Sequence, residues 1–155
     1  MNKLLRQTMI ATIYVVIVYM FSFLSFQEIQ FRIAEALLVL IFFDYKNIYG
    51  LTLGTFVSNW LLSPFGLIDA LFGSAATIIS LLFMILLKKH KLLALLMPAI
   101  FNGLIIGFLI YYIEQIPFLY GASFVFLGEI VVMIFLGFPL YKILEKHPYF
   151  LEVFK

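Results

Sequence analysis

The chain has 155 residues, 65% of them hydrophobic and 12% charged, with a formal net charge of +2 and no cysteine. Soluble domains carry roughly a quarter charged residues, so this composition excludes an ordinary water-soluble fold, and the lack of cysteine excludes disulfides, thiol catalysis and thiolate metal sites. Apolar runs close to the ~20 residues that cross a bilayer recur along the chain, and the cations cluster between those runs rather than along one face, which argues against a nucleic-acid surface.

Taken in order, the first run extends from about Thr8 to Phe26, after Lys3 and Arg6. It is too long for the apolar region of a signal peptide and has no small-x-small cleavage site, so it is read as a first span. The stretch QEIQFRIAEAL, Gln27 to Leu37, then concentrates Glu28, Gln30, Arg32 and Glu35 between apolar segments. A short second helix from about Phe31 to Phe43 ends at Asp44-Tyr45-Lys46-Asn47, and a third from Ile48 to Leu62 stops at the breakers Ser63-Pro64-Phe65-Gly66. The fourth covers Leu67 to Leu87 and meets Lys88-Lys89-His90-Lys91. The fifth covers Leu92 to Ile113, with Pro98 as a potential interruption, and the sixth runs from Phe118 to Tyr141 into a short polar tail. The expected fold is an all-α integral membrane protein, residues 1–155 forming a single domain of six transmembrane helices.

Lysine and arginine excess marks the cytoplasmic side of such a protein. With six spans, Lys3, Arg6, Lys46, Lys88, Lys89, Lys91, Lys142, Lys146 and Lys155 fall on the side of the termini, and Arg32 stands alone opposite them. Both termini are therefore expected in the cytoplasm. Glu28, Glu35, Asp69, Glu114 and Glu129 lie at the outer ends or inside the spans, a bias that orientation does not explain because acids contribute little to topology. His90 and His147 sit beside lysines near helix ends and read as membrane-surface residues rather than metal ligands, which require convergent donors.

Small residues at helical spacing, Gly50-Gly54-Ser58, Gly66-Ala70-Gly73-Thr77 and Gly103-Gly107, read as close helix packing. Intramembrane polar residues are costly and are site candidates by default: Arg32, Glu35, Asn59, Asp69, Asn102 and Glu129. Asn102 and Glu129 lie roughly 16 to 18 Å from the outer ends of their helices at 1.5 Å per residue, so the set would line an outward-facing pocket with a floor near mid-membrane. Arg32 and Glu35 are three apart and could pair on one helix face. Asp69 could instead cap the fourth helix, and Asn59 and Asn102 could be interhelical glue. Carboxylates and carboxamides near Phe31, Tyr111, Tyr112, Phe118 and Tyr120 suit a flat polar heterocycle, because one carboxylate can accept two adjacent N–H donors and a second can meet a cationic substituent. No P-loop, HExxH or GxSxG motif is present, so nothing in this chain is expected to spend ATP.

The segments QFRIAEAL (Gln30 to Leu37), GLIDALFGSAAT (Gly66 to Thr77), PAIFNGLIIG (Pro98 to Gly107) and GEIVVMIFLGFPL (Gly128 to Leu140) resemble, in the same order and over nearly the whole chain, the QueT family. These are six-helix substrate-binding S components of energy-coupling factor (ECF) transporters. The resemblance implies capture in the bacterial cell membrane of a queuosine precursor, a 7-deazaguanine such as preQ1 (7-aminomethyl-7-deazaguanine), preQ0 or queuine. It also implies a membrane coupling subunit and two ATPase subunits as partners, with ATP bound by those partners and no cofactor on this chain, and a toppling of the S component in the bilayer. S components commonly dock through an Ala-xxx-Ala face on the first helix; here Ala11 is followed at that spacing by Val15, with Thr8 and Thr12 as a neighbouring small pair. From the residues alone, a solitary proton-coupled carrier using Glu35 or Glu129 remains open, as do an S component for another vitamin-like heterocycle and an intramembrane enzyme working through two carboxylates.

Overall fold

The computed structural model describes residues 2–26 and 30–153. Gln27, Glu28 and Lys155, used above in the charge pattern, lie outside the described residues. The described elements are helical throughout: α1 (Lys3–Met20), α2 (Ser22–Ser25), a 3-10 helix (Ile33–Phe42), α3 (Asn47–Leu62), α4 (Leu67–Leu86), α5 (Lys91–Leu95), α6 (Met97–Glu114), α7 (Phe118–Val132), a π-helical turn (Met133–Gly137), α8 (Phe138–Glu145) and α9 (Pro148–Val153). Four stretches are long and apolar enough to cross a membrane, Lys3–Met20, Leu67–Leu86, Lys91–Glu114 and Phe118–Glu145, with the 3-10 helix as a shorter apolar segment.

The short second segment is the axis of the molecule. Its sequence IAEALLVLIF is apolar on every side, as expected of a helix enclosed by others, and Glu35, Leu38, Val39 and Ile41 are between 0 and 3% exposed. An α-helix was expected here; the chain instead winds at three residues per turn. Ten residues then span about 20 Å rather than the ~15 Å of an α-helix, which lets a segment too short for an ordinary span extend further through the core. The tighter winding also stacks Glu35, Leu38 and Ile41 along one buried line. Around this axis α1 packs on α3, α3 on α4, α4 on α6 and α6 on α7, while the axis itself touches α1, α3, α4, α7 and α8.

Small residues set these contacts. A Cβ on Gly54 would come within 2.7 Å of Tyr14 Cβ, one on Gly50 within 2.7 Å of the Gln7 carbonyl, and one on Gly107 within 2.7 Å of Ala122 Cα. Those glycines therefore bring α3 against α1 and α6 against α7 at backbone distance, as small-xxx-small spacing predicts. The predicted fifth helix is interrupted just before Pro98: α5 ends at Leu95 and α6 starts at Met97. Pro98 itself occupies the first turn of α6, where its missing N–H costs nothing. Pro139, just inside α8, is preceded by the π-helical turn, whose wider winding accommodates a residue that cannot donate to the turn before it. The short polar tail forms α9.

The two ends of the molecule differ in charge. At one end Lys3, Lys46 and Lys88 surround a common recess with Asp44, Arg6 is ion-paired with Asp44, and Lys91 lies 4.0 Å from the Phe42 ring centroid and 5.2 Å from that of Tyr141. At the other end Gln30, Ser63, Asp69, Glu114 and Tyr120 converge. The lateral surface is apolar and exposed, with Ile13, Val16, Leu71, Leu104, Phe108, Leu119 and Phe135 among the uncovered side chains, a surface that suits acyl chains and not water.

Candidate functional site

The six candidate site residues are all buried, and most of them meet. Arg32 stands just before the 3-10 helix with φ −79° and ψ 79°, so it is not on the helix face that carries Glu35. The expected Arg32–Glu35 ion pair is accordingly not the one formed. The Arg32 guanidinium, 3% exposed, lies with Nη2 3.7 Å from Asp69 Oδ2 and its carbon 6.0 Å from the Phe26 ring centroid. Glu35, fully buried, accepts a 2.6 Å hydrogen bond from the Tyr14 hydroxyl through Oε1.

Asp69 is not the cap of α4. Gly66 holds that position with φ 54° and ψ −124°, a conformation open to glycine and strained for other residues, and Asp69 instead turns to Arg32. Asn59 donates through Nδ2 to the Asp69 carbonyl at 3.3 Å. Its amide lies against Gly73, where a Cβ would collide with Asn59 Nδ2 and stand 3.6 Å from Arg32 Nη1. Gly73 thus leaves the room that this corner of the network occupies. Asn102 and Glu129, 1 and 0% exposed, pair across α6 and α7 through a 3.1 Å bond from Nδ2 to Oε1. Next to Glu129, Gly128 lets the backbone of Gln30 lie directly on α7.

Electrostatically the set is one unit. Asp69, Glu129 and Glu35 all act on Arg32, and Glu35 and Glu129 act on each other. Three carboxylates surround one buried cation. Glu35 Oε2, Glu129 Oε2, Asp69 Oδ1, Asn102 Oδ1 and the guanidinium nitrogens make no hydrogen bond among the described residues, although buried polar atoms are ordinarily paired.

Over this network, at the acidic end, opens a cavity of about 260 Å³. Its walls are Phe26, Phe65, Tyr120, Phe124, Pro64, Ile110 and Ile116, and its polar groups come from Gln30, Ser63, Asp69 and Glu114. Among the six candidates Asp69 lines it; Arg32, Glu35, Asn59, Asn102 and Glu129 are buried elsewhere among the helices and do not. Asp69 therefore belongs to both the cavity and the network. Of the aromatics expected to stack a ligand, Tyr120 is in the wall, whereas Tyr111 and Tyr112 face outward at 47 and 71% exposure. Tyr14, Gln30 and Glu114 were not among the predicted site residues. A tyrosine inside an apolar span, which needs a partner for its hydroxyl when buried, was the available signal for Tyr14.

The four residues proposed for partner docking do not share one environment. Thr8 and Thr12 are exposed on α1, and their hydroxyls donate to Leu4 and Thr8 carbonyls at 3.1 and 2.9 Å. Ala11 is buried against α3 at Gly54, and Val15 is half-buried.

The arrangement is suited to binding: aromatic walls, two carboxylates and a carboxamide at a cavity mouth, and a fixed charge network alongside. Comparison with curated proteins and with solved structures gives no match. A family model described as QueT transporter matches residues 4–146, most of the chain. This all-helical, multi-pass membrane protein therefore belongs to the QueT transporter family and has a role in membrane transport.

Proposed function

We propose that the chain is the substrate-capturing S component of an ECF transporter in the bacterial cell membrane, taking up a 7-deazaguanine queuosine precursor from outside. The observation that carries this reading is the cavity at the acidic end, walled by Phe26, Phe65, Tyr120 and Phe124 and edged by Asp69 and Glu114. At about 260 Å³ it lies just below the ~300–1,000 Å³ usual for drug-sized ligands and suits one or two fused rings. Aromatic walls offer stacking, one carboxylate accepts adjacent ring N–H donors, and the other meets an aminomethyl cation. In this reading all six expected spans lie in the bilayer, the lysine-rich end and both termini face the cytoplasm as the positive-inside rule requires, and the cavity opens outward. Arg32, Glu35, Asn59, Asn102 and Glu129 fix Asp69 and the cavity floor rather than all touching the ligand. ATP is bound by two ATPase subunits, joined through a membrane coupling subunit that meets α1 on the side of Thr8 and Thr12, with Ala11 and Val15 supporting that face from within.

The test is binding by the purified protein in detergent, without nucleotide, to 7-aminomethyl-7-deazaguanine, 7-cyano-7-deazaguanine, queuine and guanine, together with mass spectrometry of co-purifying small molecules. A deazaguanine bound in preference to guanine supports the reading; no heterocycle bound at all refutes it. The buried Glu35 and Glu129, each with an oxygen lacking a hydrogen bond among the described residues, favour a second reading as a proton-coupled carrier. Uptake by vesicles that contain this chain alone, abolished when the proton gradient is collapsed, would select it.

A further inference from the structure

The recess at the lysine-rich end, remote from the substrate cavity, has no part in the function proposed above. It measures about 480 Å³ and brings together Lys3 from α1, Lys46 from the turn before α3 and Lys88 after α4. Its single acid, Asp44, is already committed: Arg6 is ion-paired to Oδ2, and Oδ1 accepts the Lys46 backbone N–H at 2.9 Å. Lys3, Lys46 and Lys88 form no ion pair among the described residues. Three lysines from three separate segments thus line one concavity whose single acid is already paired with Arg6. The rest of the wall is apolar, including Ile41 and Ile85, and beside the lysines Leu4 and Leu86 are each 74% exposed on the lateral surface.

We infer that this recess is a binding site for the phosphate headgroup of an anionic phospholipid, whose acyl chains lie along the exposed leucines of α1 and α4. A phosphodiester supplies the missing negative charge, and the ammonium groups act as point-charge donors to its oxygens. A soluble phosphate would satisfy the lysines but leave the apolar wall and the flanking leucines without a use, which is why the lipid is the occupant favoured. Basic pockets between membrane helices at the cytoplasmic surface are a known form of headgroup site. Because Lys3, Lys46 and Lys88 come from segments far apart in the chain, the headgroup would clamp α1, α3 and α4 at their basic ends.

The experiment is native mass spectrometry of the full chain in detergent, titrated with phosphatidylglycerol or phosphatidylcholine, with inorganic phosphate as competitor. Phosphatidylglycerol should be retained in preference to phosphatidylcholine and should resist displacement by inorganic phosphate. The triple variant Lys3→Gln/Lys46→Gln/Lys88→Gln should bind phosphatidylglycerol roughly 100-fold more weakly. The charge-matched triple Lys89→Gln/Lys142→Gln/Lys146→Gln should bind like the parent. Helicity by circular dichroism without lipid checks folding, and if the triple does not fold, Lys88→Gln alone should weaken binding about fivefold. Equal retention of the two lipids, or equal losses in the two triples, overturns the site. Full displacement by inorganic phosphate reassigns it to a soluble anion and overturns the lipid. Unchanged lipid binding with loss of co-purifying transporter subunits makes the recess a protein contact and overturns it as well.

Discussion

Replacing Arg32 with methionine isolates what holds the polar network together. The substitution keeps most of the side chain's volume and removes its charge in a place where the side chain is 3% exposed. At 3.7 Å from Asp69, the pair attraction is about 4 kcal/mol at an effective dielectric of ~20, and Glu129 and Glu35 add to it. Removing one partner of a buried pair costs about 3–5 kcal/mol, because the other charge stays buried without compensation. The contact is longer than a hydrogen bond, so the lower end, about 3 kcal/mol, is expected. At the ~2–4 °C per kcal/mol of a chain this size, the midpoint of thermal unfolding in detergent should fall by about 6–12 °C. Circular dichroism or tyrosine and tryptophan fluorescence can follow the transition, since thiol-reactive dyes have no cysteine to report on. The double variant Arg32→Met/Asp69→Asn should recover part of the loss, because a buried pair replaced as a whole is often tolerated. A single variant within about 0.5 kcal/mol of the parent, or a double variant whose loss equals the sum of the singles, would refute the pairing.

Other perturbations separate cavity, network and packing. Tyr14→Phe strands one oxygen of the buried Glu35 and should cost about 1–3 kcal/mol in the same melt; an unchanged melt would mean that another group serves the carboxylate. Glu114→Gln should weaken 7-aminomethyl-7-deazaguanine by roughly tenfold or more while sparing the uncharged 7-cyano compound, read by calorimetry; equal weakening of both would remove Glu114 from the role of cation acceptor. Gly107→Val forces side-chain atoms into Ala122 and should part α6 from α7, seen as aggregation on size-exclusion chromatography. Gly66→Ala meets open space but strains a backbone at φ 54°, so it should fold with a loss of about 1–3 kcal/mol. If Gly107→Val elutes like the parent, the packing argument fails.

What could be read in advance follows from the range of each signal. Hydropathy and charge act over whole helices, and they located the long apolar helices, four of which meet the length and hydropathy of a membrane span, together with the lysine-rich end and the acidic end. Glycine spacing is a property of one helix, and Gly54 and Gly107 mark contacts that the fold makes. Partner identity is different. Tyr14 meets Glu35 across 21 positions and Asn102 meets Glu129 across 27, and nothing local specifies either pairing. The Arg32–Glu35 expectation failed because spacing of three implies a shared face only inside a helix, and the helix begins after Arg32. The winding of that helix, three residues per turn over ten residues, is rare enough that apolar periodicity gives no warning of it. Asp69 at a helix start is the common cap; that it turns to Arg32 instead depends on Gly66 taking the capping position.

The cost of that network bears on why it exists. A membrane interior penalises charge more heavily than a soluble core, and buried ion pairs can often be exchanged for apolar residues with no loss of stability. A chain selected only to fold in a bilayer would fill the positions of Arg32, Glu35, Asp69 and Glu129 with leucine and methionine, as it fills the buried positions of Leu38, Leu81 and Met84. The charges are instead gathered into one cluster, and Asp69 alone among the six candidates emerges from it into the cavity wall. Asp69 is held from two sides, by Arg32 on the carboxylate and by Asn59 on the backbone carbonyl, while the buried Oδ1 has no hydrogen-bond partner among the described residues. Orientation of one buried acid in a cavity wall is a reason to retain groups that packing does not need. It predicts that Asn59→Ala, which leaves every charge in place, lowers affinity for the heterocycle more than it lowers the melting temperature; equal effects on both would reduce the network to structural glue.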